Sequence, residues 1–221
     1  MFNIAIDGPA GAGKSTLSRK LAERLGFVYA DTGALYRAVG LYALRHGVQP
    51  DDAPRVEKLL QTLDLKMELT TSGQRILMNG ENVSALIRTP EVSTAASCVS
   101  AIPSVRAFLL DLQKNVAKTS NIVMDGRDIG TIVLPDAELK IFLTASAEDR
   151  AGRRFAELTQ KGLEITYPEV LREVKERDQR DTTRAVSPLC AAKDAVVVNT
   201  TGYELERSLE RLYQIAKERL K

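Results

Sequence analysis

A glycine-rich run near the beginning of the chain has the residue types and the spacing of a phosphate-binding loop. Residues 8–15 read GPAGAGKS and fit the pattern G-x-x-x-x-G-K-[ST] at every position. The glycines let the backbone turn its N–H groups inward, where they can surround phosphate oxygens. Lys14 would bring a full positive charge to the β- and γ-phosphates, and the Ser15 hydroxyl is a ligand for Mg²⁺. The run therefore predicts a site for Mg²⁺ and a nucleoside triphosphate.

The context of this loop supports the prediction over the alternative of a simple turn. Asn3 to Asp7 is a short apolar run typical of a buried parallel strand, and Lys14 to Leu25 has leucines at helical spacing before Gly26. The predicted triphosphate-binding residues are Gly8, Pro9, Ala10, Gly11, Ala12, Gly13, Lys14, Ser15 and Thr16. The motif alone does not distinguish a kinase from other nucleotide-binding proteins.

A second apolar run, residues 122–125 (IVMD), ends in a carboxylate. In P-loop proteins an acidic residue at the end of a strand holds Mg²⁺ directly or through water. Ser15 and Asp125 are therefore the predicted metal-binding residues. An ordinary aspartate at a strand end is the alternative interpretation.

Two clusters of arginines occur later in the chain, with spacings that place side chains on one face of a helix. The first cluster is Arg150, Arg153 and Arg154, and the second is Arg177, Arg180 and Arg184 with the acidic Asp181. A solvated charged face is the usual explanation of such spacing. Guanidinium groups also bind phosphates in bidentate fashion and stabilise transition-state charge, so the clusters could form a cover over phosphates. The spacing leaves both explanations open.

Strands and helices alternate in the elements that must position these residues. Apolar runs predict strands at Asn3–Asp7, Phe27–Ala30, Ile122–Asp125, Leu139–Thr144 and Ala195–Asn199. Helical spacing predicts helices over 14–25 and 34–46, from Asp51, after Pro103, from Thr166 and from Leu205. This order predicts an α/β fold with a P-loop parallel-sheet core flanked by helices, and a ligand crevice at the carboxyl ends of the strands.

One segment departs from this alternation. From about Leu65 to Arg88, apolar and polar residues alternate on both sides of a predicted turn at Ser72-Gly73, and Asn79-Gly80 is a strong hairpin signal. The segment predicts a small antiparallel β insert within an otherwise parallel fold.

Composition excludes several classes of function. A chain of 221 residues fits one domain, and a net charge of +2 argues against a non-specific nucleic-acid binder. Cys98 and Cys190 have no partner at metal-ligand spacing, so no zinc site is predicted. The single histidine, His46, is expected at a helix end beside Gly47 rather than in a catalytic triad.

Targeting signals are not predicted. The first residues, MFNIAIDG, lack the basic segment of a signal peptide, and no run of about 18 apolar residues occurs. We therefore expect a cytoplasmic protein that has neither a membrane nor a nucleic-acid partner.

Four motifs together resemble those of bacterial cytidylate kinases. They are GPAGAGKST (8–16), DTGALYR (31–37), DGRDIGT (125–131) and RDQRDTTRAVSPL (177–189), in the order of that family. The resemblance covers essentially the whole chain, and the β insert distinguishes it from adenylate kinases. It implies transfer of the γ-phosphoryl group of ATP to CMP, and also to dCMP, with Mg²⁺ as cofactor. We expect a monomer, because nothing in the sequence demands an oligomer.

The resemblance also implies an architecture of one nucleoside-monophosphate kinase domain. Its parts would be a core (1–30, 100–146 and 168–221), a monophosphate-binding arm with the β insert (31–99) and a short helical lid (147–167). The arm would bind the acceptor nucleotide, and the lid would close over the phosphates.

Individual residues acquire roles by the same resemblance. Thr32, Arg37 and Arg127 would bind the CMP phosphate, Ser97, Arg106 and Asp128 the cytosine, and Arg177 and Asp181 the ribose. Catalysis would involve Lys14, Arg127 and Arg184, with Arg154 and Arg180 as further candidates.

The chemistry of cytosine agrees with the base-binding assignment. Asp128 can accept from the cytosine amino group and Arg106 can donate to its acceptors, whereas uracil would present a carbonyl to Asp128. An intramolecular ion pair between Arg127 and Asp128 is the alternative.

Three other functions stay open at this stage. The first is a P-loop kinase that acts on UMP or on a non-nucleotide acceptor. The second is a GTPase-type switch, although Ala192-Lys193-Asp194 lacks the asparagine of the N-K-x-D motif. The third is an RNA-binding protein, although the chain has no Trp and little net charge.

Overall fold

A computed structural model describes residues 1–70 and 73–220. Its strands within these residues are β1 (Asn3–Asp7), β2 (Val28–Asp31), β3 (Leu65–Thr70), β4 (Gly73–Met78), β5 (Glu81–Asn82), β6 (Ile122–Asp125), β7 (Leu139–Thr144) and β8 (Val196–Asn199). Its α-helices in the same ranges are α1 (Lys14–Leu25), α2 (Gly33–Arg45), α3 (Ala53–Leu60), α4 (Pro90–Val99), α5 (Pro103–Val116), α6 (Ala147–Gln160), α7 (Tyr167–Thr183) and α8 (Leu205–Arg219). A 3₁₀-helix spans Leu86–Arg88 and a π-helix spans Ile129–Val133.

The main sheet is parallel and has the order β2-β6-β1-β7-β8 in the described residues. The central strand β1 pairs with β6 and β7 in a register that sets Ile6 beside Asp125. Because parallel strands end at the same edge, the aspartates that close β1, β2 and β6 meet there. The predicted α/β core is confirmed.

Alternate residues of the strands face opposite layers of helices. Ile4 and Ile6 pack with Leu21 of α1 and Leu212 of α8 on one face. Ala5 and Met124 face the other side, where the π-helix and the end of α5 cover them. Apolar side chains on both faces explain why the strands read as continuous hydrophobic runs.

The predicted β insert is also confirmed. β3, β4 and β5 form an antiparallel sheet among the described residues, with Leu65 paired to Met78. Asn79 and Gly80 connect β4 to β5 with positive φ angles of 49° and 82°, as a tight hairpin turn requires. The predicted turn at Ser72-Gly73 includes a residue outside the described ranges.

The structure corrects two details of the predicted helices and confirms a third. Helix α4 was not predicted, although Thr89 caps it by accepting from the Val92 N–H and Pro90 opens it. His46 ends α2, as expected. Arg184, predicted on the same helix face as Arg177, lies just beyond the end of α7 with an extended backbone (φ −62°, ψ 143°).

Helices α6 and α7 form a hairpin with an apolar cluster of its own. The cluster contains Ala151 and Leu158 from α6 and Val170 and Val174 from α7. α7 begins with a capping box formed by Thr166 and Glu169, at the position where the sequence predicts the start of a helix.

No single helix in the described parts of the chain has the length and hydropathy to cross a membrane, although the pair α4 and α5, bent by 102°, meets that test jointly.

Candidate active site

A cavity of about 640 Å³ opens at the carboxyl edge of the parallel sheet. Three parts of the chain meet in it: the glycine-rich loop, helices α2 and α4, and the α6–α7 hairpin. The predicted site residues that line it are Ala10, Gly11, Gly13, Lys14, Ser15, Thr16, Thr32, Arg37, Ser97, Arg106, Asp125, Arg127, Asp128, Arg154, Arg177, Asp181 and Arg184. The tertiary structure thus brings together most residues that the sequence predicted for one site.

Four predicted residues are not among those that line the cavity: Gly8, Pro9, Ala12 and Arg180. A Cβ on Gly8 would lie 1.9 Å from the backbone oxygen of Leu143, so only glycine permits this approach to β7. Ala12 is fully buried. Arg180 is exposed on α7 and does not line the cavity, whereas the sequence analysis named it as a candidate for contact with the phosphates.

The backbone of the glycine-rich loop accepts a hydrogen bond from the Lys14 side chain. The Lys14 side chain is 5% exposed, and its Nζ donates to the backbone oxygen of Pro9 at 2.7 Å. Burial lowers the pKa of Lys14 well below its usual value, and the charge of Arg127 acts in the same direction. Gly13 caps α1 and has no side chain to bond the first N–H groups of the helix, so these can bind an anion.

Ser15 and Asp125, the predicted metal ligands, lie side by side. The Ser15 hydroxyl donates to Asp125 Oδ2 at 2.9 Å, and the Tyr29 hydroxyl donates to Oδ1 at 2.8 Å. Burial, and then the nearby charge of Asp31, raises the pKa of Asp125 to about 6. Sequence reasoning missed Tyr29, since no motif marks it.

This pair fits Mg²⁺ that is held mainly by nucleotide phosphates and water. Mg²⁺ keeps several waters and takes one or two protein ligands at nucleotide sites. The described residues contain no group of three or more His, Cys, Asp or Glu side chains that could hold a metal alone. One hydroxyl and one carboxylate therefore match the donor set that a metal–triphosphate complex requires.

The middle of the cavity contains residues predicted to bind the acceptor phosphate. Arg37 pairs with Asp31 at 2.5 Å, and Arg127 Nε donates to Asp181 Oδ2 at 3.1 Å. The Thr32 hydroxyl donates to the backbone oxygen of Asp125 at 2.8 Å, which ties the start of α2 to β6. Contacts with carboxylates thus orient both guanidinium groups.

At the far end, Arg106 and Asp128 form a buried ion pair. Each is less than 10% exposed, and Arg106 Nη2 donates to Asp128 Oδ2. Arg106 Nη1 donates to the backbone oxygen of Ser100 at 3.1 Å, and the Tyr36 ring lies 5.4 Å from the guanidinium carbon. Because Arg127 pairs with Asp181 instead, the alternative ion pair between Arg127 and Asp128 is excluded.

Positive charges crowd together between the two ends. Burial, and then the neighbouring Arg127, lowers the pKa of Arg177 to about 10. Burial and the charge of Arg106 lower the pKa of Arg184. Although burial alone would raise it, the pKa of Asp181 is lowered by the guanidinium groups of Arg127 and Arg177. Such crowding is relieved by an anion.

Several buried polar atoms in the cavity have no hydrogen-bond partner within the described residues. They are Arg37 Nε, Ser97 Oγ, Arg106 Nε, Arg177 Nε and Arg184 Nη2. Buried polar groups are normally satisfied, so their concentration here indicates a polar ligand.

The first arginine cluster divides between two roles. Arg150 is 4% exposed and bonds both oxygens of Asp178, at 2.9 and 2.5 Å, and the backbone oxygen of Ala10 at 3.1 Å. It therefore connects α6, α7 and the glycine-rich loop. Arg153 and Arg154 line the cavity instead.

Comparison with known proteins identifies the family. The sequence profile of the family described as cytidylate kinase matches residues 4–218. The chain belongs to the cytidylate kinase family. The cytidylate kinase of Carboxydothermus hydrogenoformans is 52% identical over 97% of this chain and 96% of that protein. The cytidylate kinase of Caldicellulosiruptor bescii is 50% identical over 97% and 95%.

A solved structure resembles the fold. The crystal structure of an uncharacterized protein from Eubacterium ventriosum has a TM-score of 0.56 and 12% identity, and covers 98% of both chains. At this identity the likeness concerns the fold alone.

Within this cytidylate kinase fold, the cavity has lining residues that sequence reasoning did not assign. They include Tyr36, Ser93, Ser100, Arg153, Tyr203 and Leu205. Tyr36 belongs to the DTGALYR motif and Arg153 to an arginine cluster, so a signal existed for both. Tyr203 and Leu205 lie where β8 leads into α8, and only the folded chain brings them to the cavity.

Proposed function

We propose that this protein transfers the γ-phosphoryl group of ATP to CMP and forms ADP and CDP. The observation that carries the proposal is one cavity with a triphosphate-binding loop at one end and a buried Arg106–Asp128 pair at the other. Arginines lie between the two ends, where two negatively charged nucleotides would meet. Membership in the cytidylate kinase family supports the same reaction.

On the donor side, the loop at 8–16 binds the ATP phosphates. Backbone N–H groups at the start of α1 and the buried Lys14 ammonium provide positive charge at the β- and γ-phosphates. Ser15 and Asp125 would hold Mg²⁺ at these phosphates. The metal ion neutralises phosphate charge when it is bound.

On the acceptor side, cytosine contacts Ser97, Arg106 and Asp128. The Asp128 carboxylate accepts from the cytosine amino group, and Arg106 donates to the ring acceptors. Uracil would set its carbonyl against Asp128 and leave buried polar groups unpaired, which disfavours it. Arg177 and Asp181 bind the ribose, and both CMP and dCMP are substrates.

The chemical step is an in-line displacement. A CMP phosphate oxygen attacks the γ-phosphorus, the bond to the β,γ-bridging oxygen breaks, and its electron pair leaves with ADP. The attacking oxygen is already ionised near neutral pH, so no general base is required. Lys14, Arg127 and Arg184 stabilise the charge of the transferring group, and Arg154 assists from α6.

Closure of the site belongs to the same proposal. The arm (31–99) shares an apolar cluster with α5, in which Leu35 and Ile76 pack with Val105 and Leu109, and the α6–α7 hairpin has a separate cluster. Within the described residues, neither cluster includes a residue of the main parallel sheet. The arm together with α5, and the lid (147–167), can therefore move relative to that sheet, close over both nucleotides and exclude water. A monomeric state and a cytoplasmic location stay predictions.

An acceptor panel tests this function. We expect rapid ADP and CDP formation from Mg·ATP with CMP, slower turnover of dCMP and UMP, and little with AMP. ATP hydrolysis without a diphosphate product from any pyrimidine monophosphate would contradict the proposal. Product identity by chromatography separates transfer from hydrolysis.

A further inference from the structure

Asp7, the last residue of β1, is a buried carboxylate with no role so far. Its side chain is 4% exposed, and it directly precedes the glycine-rich loop. Oδ1 accepts from the backbone N–H of Ile129 at 2.8 Å, and Oδ2 accepts from that of Gly130 at 2.7 Å. Both of its oxygens are thus engaged by the residues that directly follow Asp128.

The segment that carries Asp128 is attached to β1 on both sides. Before Asp128, the Gly126 N–H donates to the backbone oxygen of Ile6 at 3.0 Å. After it, the two N–H groups bind Asp7. Consecutive residues of one central strand therefore fix both flanks of the residue proposed to select cytosine.

The segment after Asp128 forms a π-helical turn, whose first N–H groups need hydrogen-bond acceptors from elsewhere in the chain. Asp128 precedes a π-helix at Ile129–Val133, and its carbonyl accepts from the N–H groups of Ile132 and Val133. π-Helical turns are rare and occur mostly at functional sites. The Asp7 carboxylate satisfies two N–H groups at the beginning of this turn, which have no intrahelical partner.

Burying the charged Asp7 carboxylate costs folding free energy, so its presence at this position favours a functional role. Burial raises the pKa of Asp7 to about 6, although the N–H groups of Gly130 and Ile129 oppose the rise. At neutral pH the carboxylate is therefore ionised in an interior where an uncharged residue would be less costly.

We infer that Asp7 is a positioning residue for nucleotide selection: it holds residues 128–130 so that Asp128 meets both Arg106 and the acceptor base. This inference rests on the proposed function. Asp7 contacts neither nucleotide in this role and acts only through Asp128. Since it begins the glycine-rich loop, one strand end positions both the donor loop and the base-selecting loop.

Asp7→Asn tests the inference because it preserves shape and removes one acceptor. Its amide N–H₂ must face one of the two backbone N–H groups, which displaces the loop. We expect the ratio of kcat/KM for CMP to that for UMP to fall about tenfold, with most of the change in KM for CMP. The KM for ATP should change by less than about threefold.

Gly130→Ala tests the same contact from the opposite side. A Cβ there would lie 3.4 Å from Asp7 Oδ2 and 3.2 Å from the Lys140 side chain, so the loop must shift slightly. We expect the ratio of kcat/KM for CMP to that for UMP to fall, but by less than in Asp7→Asn. Leu212→Ala, a fully buried truncation in α8 on the opposite face of the sheet from Ile129 and Val133, is the control for lowered stability alone and should keep the wild-type ratio.

The outcomes separate the inference from the function on which it rests. If the wild-type protein does not phosphorylate CMP, the proposed function fails. If it does, but Asp7→Asn lowers the melting temperature and leaves the CMP to UMP ratio unchanged, Asp7 is only structural. Equal losses of kcat/KM for CMP and UMP with a raised KM for ATP would assign Asp7 to the donor loop. Failure of both variants to fold would make Asp7 a requirement for folding. Each of these three results for Asp7 overturns the inference.

Discussion

The two ends of the cavity are built in opposite ways. The proposed donor end is one continuous stretch, 8–16, which would bind phosphate largely through backbone N–H groups and one lysine. The acceptor end takes Ser97 from α4, Arg106 from α5 and Asp128 from the loop after β6. In the proposed function, a local backbone conformation is enough to bind phosphate, whereas the base is recognised by side chains that only the fold brings together.

The two ends also differ in electrostatics. At the proposed donor end, buried Lys14 Nζ donates to the backbone oxygen of Pro9 and makes no side-chain hydrogen bond in the described residues, although the charges of Asp125 and Asp7 act on it. In the proposed function, phosphate oxygens would be its directly bonded counter-charge. At the acceptor end, Arg106 is already neutralised by Asp128. Removing a donor-end charge should therefore affect catalysis, and removing an acceptor-end charge should affect selection.

The largest effect is expected at Lys14. Lys14→Ala should lower kcat by about 10³-fold, or roughly 4 kcal/mol, because a buried charge at the transferring phosphate is lost. Steady-state ADP release at saturating CMP measures this. Lys20→Ala, on the more exposed part of the same helix, is the matched control and should leave kcat unchanged. A reduction below tenfold would remove Lys14 from catalysis and weaken the contrast between the ends.

An intermediate effect is expected at Asp128. Asp128→Ala leaves Arg106 buried without its partner, so kcat/KM for CMP should fall about 100-fold and that for UMP much less. Asp128→Asn should favour UMP further, because an amide N–H can donate to the uracil carbonyl. Exposed Asp136→Ala serves as the control. Equal losses for both nucleotides would show that the acceptor end does not select the base.

The smallest effect is expected where the β insert meets the site. Gln74 of β4 accepts from the Asp31 N–H at 2.7 Å and donates to the Asp31 backbone oxygen at 3.0 Å. Gln74→Ala should raise KM for CMP about threefold and cost about 1 kcal/mol of folding free energy, since both bonds orient the residue before Thr32. Chemical denaturation and initial rates measure the two effects. Arg75→Ala, a substitution of the exposed neighbour, should change neither KM for CMP nor the folding free energy. If both variants behave identically, the β insert does not influence the site through Gln74.

Prediction from sequence succeeded where local pattern and structure coincide. The glycine-rich loop, the strand that ends at Asp125 and the Asn79-Gly80 hairpin were all recognised, because each depends on neighbouring residues. The Arg184 prediction was wrong about its helix, since the spacing alone does not reveal where α7 ends. Tyr29 and Asp7 were not recognised because their partners, Asp125 and residues 129–130, are more than ninety positions away.

The sequence by itself determined the phosphate-binding loop, the alternation of strands and helices and the family, because these depend on short-range spacing and on motif order. Only the tertiary structure decided which charges pair. Arg127 is adjacent to Asp128 in the chain but pairs with Asp181, and Asp128 pairs with Arg106. The reason is physical: adjacent side chains on an irregular loop point in different directions, and burial makes each charge pair with whichever opposite charge the packed helices bring within reach.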